Sequence, residues 1–188
     1  MASGPPTAWI DGCRAAQAAL LADLAGLTDA QARQDSALPG WTVGHVLTHL
    51  ARNADSVVYR LQGAAAGEVR DQYPGGLAQR QHDIDAGANR PAATLVDDVR
   101  RSAAAVEHAI DALPEAAWDA LSRTSFGHEL PSRDVVLSRW REVVVHHGDL
   151  GFGPVPLPPA LVAAWLPREL PQLAQRTDPA ALMAWVLG

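Results

Sequence analysis

Apolar residues recur along this chain at intervals of three and four. From Thr7 to Ala25, Ile10, Cys13, Ala16, Leu20, Leu21 and Leu24 line one face of a helix. The Leu38-Pro39-Gly40 segment breaks the pattern, and Thr42 is placed to cap a second helix. Its stripe, Val43, Val46, Leu47, Leu50, Ala54, Val57, Val58 and Leu61, runs to about Gly63. Tyr73-Pro74-Gly75-Gly76 predicts a turn and Leu77 to Ala88 a shorter helix. Pro91 suits the first turn of a third long helix, which carries Leu95, Val99, Ala103, Val106, Ile110 and Leu113 and ends at Pro114. Trp118 to Leu130 keeps neither period and reads as irregular or weakly extended. A fourth long helix runs from near Ser132 to about Leu150, where Gly151, Gly153 and Pro154 stop it. Two short helices, 159–172 and 178–187, close the chain. Four long amphipathic helices with one long crossover predict an all-α bundle over residues 1–155, followed by a short helical extension over 156–188.

Composition narrows the class. With 188 residues and 48% hydrophobic content, the chain can bury a full core. The net charge of -6, with no basic stripe, argues against a nucleic-acid partner. No apolar run reaches membrane-spanning length, and the N-terminus lacks the basic start and apolar stretch of a signal peptide, so a cytoplasmic protein is expected. Cys13 is the sole cysteine, which excludes an internal disulfide and a multi-cysteine metal site.

Two segments carry residues suited to chemistry, GHVLTHLARNAD (44–55) and REVVVHHGDL (141–150). Glu142 and His146 lie four apart on a predicted helix and project on one face, so both can grip one ion. His45 and His49 are also four apart. His49 lies nearer the Val46/Leu50 stripe and is the better inward residue, while His45 points nearly away. Asn53, one turn after His49, and Asp149 are read as side chains behind the ligands, and His45 and His147 as neighbours of the site or surface residues. His82, His108 and His128 carry no pattern. Spacing leaves the bland readings open. A solvated i, i+4 pair, with Arg139 and Asp149 near the same face, is the commoner account of Glu142 and His146, and a hydrogen-bonded, half-buried histidine is the commoner account of His49.

The stretches LPGWTVGHVLTHLARNAD and RWREVVVHHGDLGFG, with QRQHDIDAGANRPAATLVDDVR between them, closely resemble the mycothiol-dependent maleylpyruvate isomerase family of the DinB-like helical-bundle superfamily. The resemblance covers about residues 10 to 155 and implies a DinB-like four-helix bundle. It places the family's metal ligands on His49, Glu142 and His146. Members usually continue into a C-terminal domain that is thought to contribute an arginine. Here LMAWVLG resembles the start of that region, and the chain stops about where the arginine would follow.

A two-histidine, one-glutamate set leaves a position open on the metal, as catalytic zinc sites do, and nitrogen and oxygen donors also suit Ni²⁺, Mn²⁺ or Fe²⁺; zinc is the preferred expectation. Cys13 sits on a presumed core face, so the reactive thiol is expected from outside, and the resemblance implies mycothiol. The implied reaction is addition of a metal-activated thiolate to the cis double bond of maleylpyruvate, rotation of the adduct, and expulsion of the thiol to give fumarylpyruvate. The substrate is a dianion, and Arg80 and Arg139 are the expected cationic partners. A mycothiol S-transferase on the same bundle, or a non-enzymatic metal-binding bundle, are the alternative expectations.

Overall fold

The apolar stripes lie on helices that face one another in the computed structural model, which describes residues 4–176. The chain divides into two compact units, Met1–Val155 and Pro156–Gly188. In the first unit the helices are α1 (Thr7–Asp23), the one-turn α2 (Asp29–Ala32), α3 (Val43–Ala65), α4 (Gly76–Gly87), α5 (Ala92–Asp111) and α6 (Ser132–Asp149). A 3₁₀ turn over Glu115–Asp119 and a hairpin of β1 (Leu121–Arg123) and β2 (Glu129–Pro131) join α5 to α6. The second unit contributes α7 (Pro159–Arg176), in which Trp165 Nε1 donates to Glu169 at 2.7 Å. The helix expected over 178–187 lies outside the described residues.

Local chemistry sets the helix starts. Thr28 caps α2 and Thr42 caps α3, each in a reciprocal capping box that satisfies two otherwise orphaned N–H groups. Pro91 occupies the position just before the first turn of α5, one residue earlier than the sequence pattern placed it. Gly151 follows α6 with a φ of 75°, a left-handed conformation that stops the helix without the penalty a Cβ would bring.

α3 is the central helix and packs against α4, α5 and α6, while α1 lies along α6. The core joins Leu20 of α1 and Leu24 just after it, Val43, Val46, Leu47 and Leu50 of α3, Leu95 and Val99 of α5, and Val143 of α6 with Leu150 at its end. Full burial of each such side chain contributes about 1.5–3 kcal/mol, so the stripe of α3 alone commits that helix to one rotation about its axis. That rotation turns His49 inward.

The hairpin is the one sheet among the described residues, pairing Leu121 with Pro131, Ser122 with Leu130 and Arg123 with Glu129. Its turn is tied by Thr124, whose hydroxyl accepts from the backbone N–H of Phe126 and His128, and by Gly127 at φ 81°. The segment that read as weakly extended is thus a real hairpin, with strands too short for a two-residue period to register.

Candidate metal centre

His49, from the second turn of α3, and Glu142 and His146, from one face of α6, converge across the helix pair. Each offers one ligand atom, and the three atoms lie within 4.8 Å of one another. His49 Nε2 is 3.1 Å from Glu142 Oε2, and His146 Nε2 is 3.4 Å from the same oxygen. Ligands bonded to a tetrahedral zinc at ~2.0–2.1 Å stand about 3.3–3.4 Å apart, so these separations fit a single ion. His49 is buried and the other two are half-buried, which removes them from the class of surface pairs. Both bland readings drawn from spacing therefore give way to a convergent set.

Electrostatics agree with the geometry. Burial pushes the Glu142 carboxyl up, but hydrogen bonds from His146 and His49 and their charges outweigh it and hold the group far below the usual carboxylate range. Burial drives His49 below the ordinary imidazole value against the pull of Glu142, which favours the neutral ring that a metal ligand needs. Burial also acts against a charge on His146, yet the adjoining Glu142 and Asp149 prevail and raise it.

The surrounding side chains fall into three groups. Asp149 Oδ2 lies 2.8 Å from His146 Nδ1, on the ring nitrogen turned away from Glu142, where a carboxylate orients a histidine ligand. Arg141 Nη2 donates to Glu142 Oε1 at 2.7 Å. On the other side, Arg80 Nη2 of α4 approaches His49 Nδ1 at 2.9 Å, and its guanidinium stands 5.7 Å from the Trp41 ring. Trp41 also meets His49 edge-on. The loop bearing it is tied to the end of α6, where Ala37 N–H donates to Asp149 O at 2.8 Å. Beside the trio, Arg80 lines an open cleft with Arg52, Asp55, Ser56, Tyr59 and Tyr73.

Arg139 departs from its expected place. Its side chain is 1% exposed, and Nη1 donates to Leu50 O at 2.8 Å and to Asn53 Oδ1 at 2.9 Å, while Nε reaches Gln17 Oε1 at 3.4 Å. It is enclosed between α1, α3 and α6 and presents no charge to a dianion in the cleft. Asn53 likewise serves Arg139 and makes no hydrogen bond to His49. Neither His45 nor His147 is a surface residue. The His45 ring closes the α3 capping box, its Nδ1 facing the Thr42 N–H at 3.1 Å. His147 is buried toward α1, with Nε2 2.9 Å from Asp23 Oδ2. Cys13 is fully buried, and desolvation pushes its thiol up to about 11, which leaves it unsuited to act as a nucleophile.

The family described as "Mycothiol maleylpyruvate isomerase N-terminal domain" matches residues 13–151, a span that holds all three candidate ligand residues. The chain belongs to this family. Two solved structures resemble this family member, a mycothiol-dependent maleylpyruvate isomerase and a histidine-to-alanine variant of it. They share 27% and 26% identity with the chain, each at a TM-score of 0.75. Each match covers 81% of this chain and 65% of the solved one, so the chain spans about two thirds of those enzymes' length. A comparison with curated proteins finds no match.

The expected bundle and family hold. Two features of this N-terminal domain carried no sequence signal: the Trp41 wall, because a loop has no period, and the Arg80–His49 contact, because the two residues are 31 apart. Among the described residues, no helix is long and apolar enough to cross a membrane.

Proposed function

We propose that this chain carries the metal and thiol site of a mycothiol-dependent isomerase that converts maleylpyruvate to fumarylpyruvate, working in the cytoplasm. The carrying observation is the convergence of His49, Glu142 and His146 with Asp149 behind His146, in a chain that belongs to the family. A divalent ion held there, zinc by preference, supplies a Lewis acid that keeps a bound thiol deprotonated at neutral pH.

The chain's own residues do the rest. Burial lowers His49 and the two imidazoles hold Glu142 far below the usual carboxylate range, which favours the neutral ring and the carboxylate that a cation needs. Asp149 fixes the ring of His146. Trp41 walls one side of the trio and limits water there. Arg80, at the junction of trio and cleft, supplies a positive charge for a substrate carboxylate. Because Cys13 is buried, the sulfur comes from a small molecule. It adds to the cis carbon–carbon double bond, the resulting single bond rotates, and the sulfur leaves to restore the double bond in the trans form.

The test is turnover of maleylpyruvate by the purified chain with zinc and mycothiol, each omitted in turn. Conversion that needs both supports the reading. A stable thioether product would instead mark an S-transferase, and metal binding without thiol-dependent turnover would mark a non-enzymatic bundle.

A further inference from the structure

The inner face of α3 that carries His49 also carries Asn53, Ser56 and Arg60, at helical spacing, and all four residues are buried. Arg60 follows His49 by 11 residues, which puts it about 16 Å further along the axis and within about 20° of the same direction. Its side chain folds back toward the site, with Nε donating to Ser56 O at 3.3 Å, one turn nearer His49. Among the described residues that is its one hydrogen bond, and no carboxylate forms an ion pair with it. Its two Nη atoms have no partner there, yet neither is sealed from solvent, so the 3% of Arg60 that stays exposed includes the charged tip. The titratable groups it feels are Tyr73, in the wall of the cleft, and then Glu142 of the trio, so the tip lies on the side where cleft and trio adjoin. A buried cation without a counter-charge weakens a fold, and burial pulls this guanidinium down to about 10. Nothing among the described residues offsets that cost.

We infer that Arg60 is a specificity residue that binds the carboxylate of a small dicarboxylate ligand at the end remote from Arg80. A ligand carboxylate supplies the counter-charge that the bundle lacks, and a guanidinium can meet it with two parallel N–H donors. With Nε engaged by Ser56, the edge left to do so is the one formed by Nη1 and Nη2. The other arginines nearby are already committed. Arg52 pairs with Asp98 at 3.0 Å and Asp55 at 3.2 Å, Arg141 with Glu142 at 2.7 Å, and Arg139 with Leu50 O and Asn53 Oδ1. Arg80, in contact with His49, marks the near end of the ligand, and Arg60, further along α3, the far end. A monocarboxylate would leave one of the two cations unmatched, so the pair selects for a dianion. The inference rests on the reading above only in taking maleylpyruvate as that dianion.

The experiment is calorimetric titration of heptanedioate, a saturated dicarboxylate the length of maleylpyruvate, and of heptanoate, which has one carboxylate. Both go into the native chain, Arg60→Met and Arg60→Lys, each with zinc supplied and again with a chelator. The native chain is expected to bind heptanedioate roughly tenfold more tightly than heptanoate, the worth of one charge-assisted pair. Arg60→Met should lose that preference while its heptanoate affinity stays, and Arg60→Lys should keep part of it. Thermal melts supply a readout that a structural role would move the other way. Arg60→Met is expected to melt at the native temperature or roughly 2–4 °C above it, since an unpaired buried cation has been removed. A preference for heptanedioate that persists in Arg60→Met overturns the inference, as does its absence from the native chain. A lower melting temperature, or failure to fold, in Arg60→Met also overturns it by making Arg60 a structural residue. Failure to take up zinc, in a chain that keeps the Arg60-dependent preference, would instead bring down the metal reading and leave this one standing.

Discussion

α6 sends two charged side chains into the bundle three residues apart, Arg139 and Glu142, and they meet opposite surroundings. Arg139 is met by a backbone carbonyl and two amide side chains, none of which titrates. Glu142 is met by two imidazoles and a guanidinium, and its histidine partners can exchange a proton for an ion. The first cluster is a set of fixed acceptors that leaves Arg139 Nη2 buried without a partner, and the second has partners that can exchange a proton for an ion. Burial alone does not separate a structural polar group from a functional one; the partners' capacity to change state does.

The widest gap between the clusters should appear on removing one member of each. His146→Ala is expected to take bound zinc from about one ion per chain to near none, with the helical circular dichroism intact, because preformed helices hold the site. Metal retained by that variant would dissolve the distinction. Arg139→Ala should do the reverse, lowering unfolding stability by about 3–5 kcal/mol through a cavity and orphaned acceptors, while the refolded fraction still binds zinc.

Cys13 is buried near Arg139, whose charge offsets part of its desolvation. Its thiol is raised from 9.0 to about 11. Stability from this group is therefore complete below pH 9 and is lost as pH rises toward 11, since the unfolded thiol ionises first. The loss should amount to about 2–3 kcal/mol in denaturant melts and be absent from Cys13→Ala. Cys13→Ser should retain thiol-dependent turnover, and full loss of turnover in a folded, metal-loaded variant would make Cys13 the nucleophile.

Asp149→Asn probes the open cluster from behind and should weaken zinc about 10- to 100-fold in competition titrations. The smallest change is expected from His45→Ala, which removes half of a capping box. It should cost about 0.5–1 kcal/mol of stability and leave zinc affinity nearly unchanged. Abolition of binding by His45→Ala, with binding kept by His49→Ala, would reverse the ligand assignment.

The bundle was legible because each long helix repeats its apolar residues over three or more turns, and such a stripe has one low-energy way to be buried. His49 could be preferred over His45 for the same reason: one lies with the stripe and the other off it. Arg139 was misjudged because a charge next to a stripe looks solvated until its acceptors are known, and Gln17 is 122 residues away. His147 was misplaced likewise, its partner Asp23 being on a distant helix. The hairpin and Trp41 escaped because three-residue strands and loops carry no period.

One close approach in the fold bears on all of this. A Cβ at Gly44 would stand 2.1 Å from the Ala88 carbonyl oxygen, and one at Gly87 would stand 2.5 Å from Thr48 Cγ2. α3 and the end of α4 thus meet backbone to backbone at Gly44 and through the Thr48 side chain alone at Gly87, and these are the helices that carry His49 and Arg80. In an engineer's terms, the spacing between ligand and arginine is a dimension toleranced by two missing methyl groups. A single added carbon at that crossing would act as a shim, moving the cation off the imidazole while every residue of the metal trio stayed as it was.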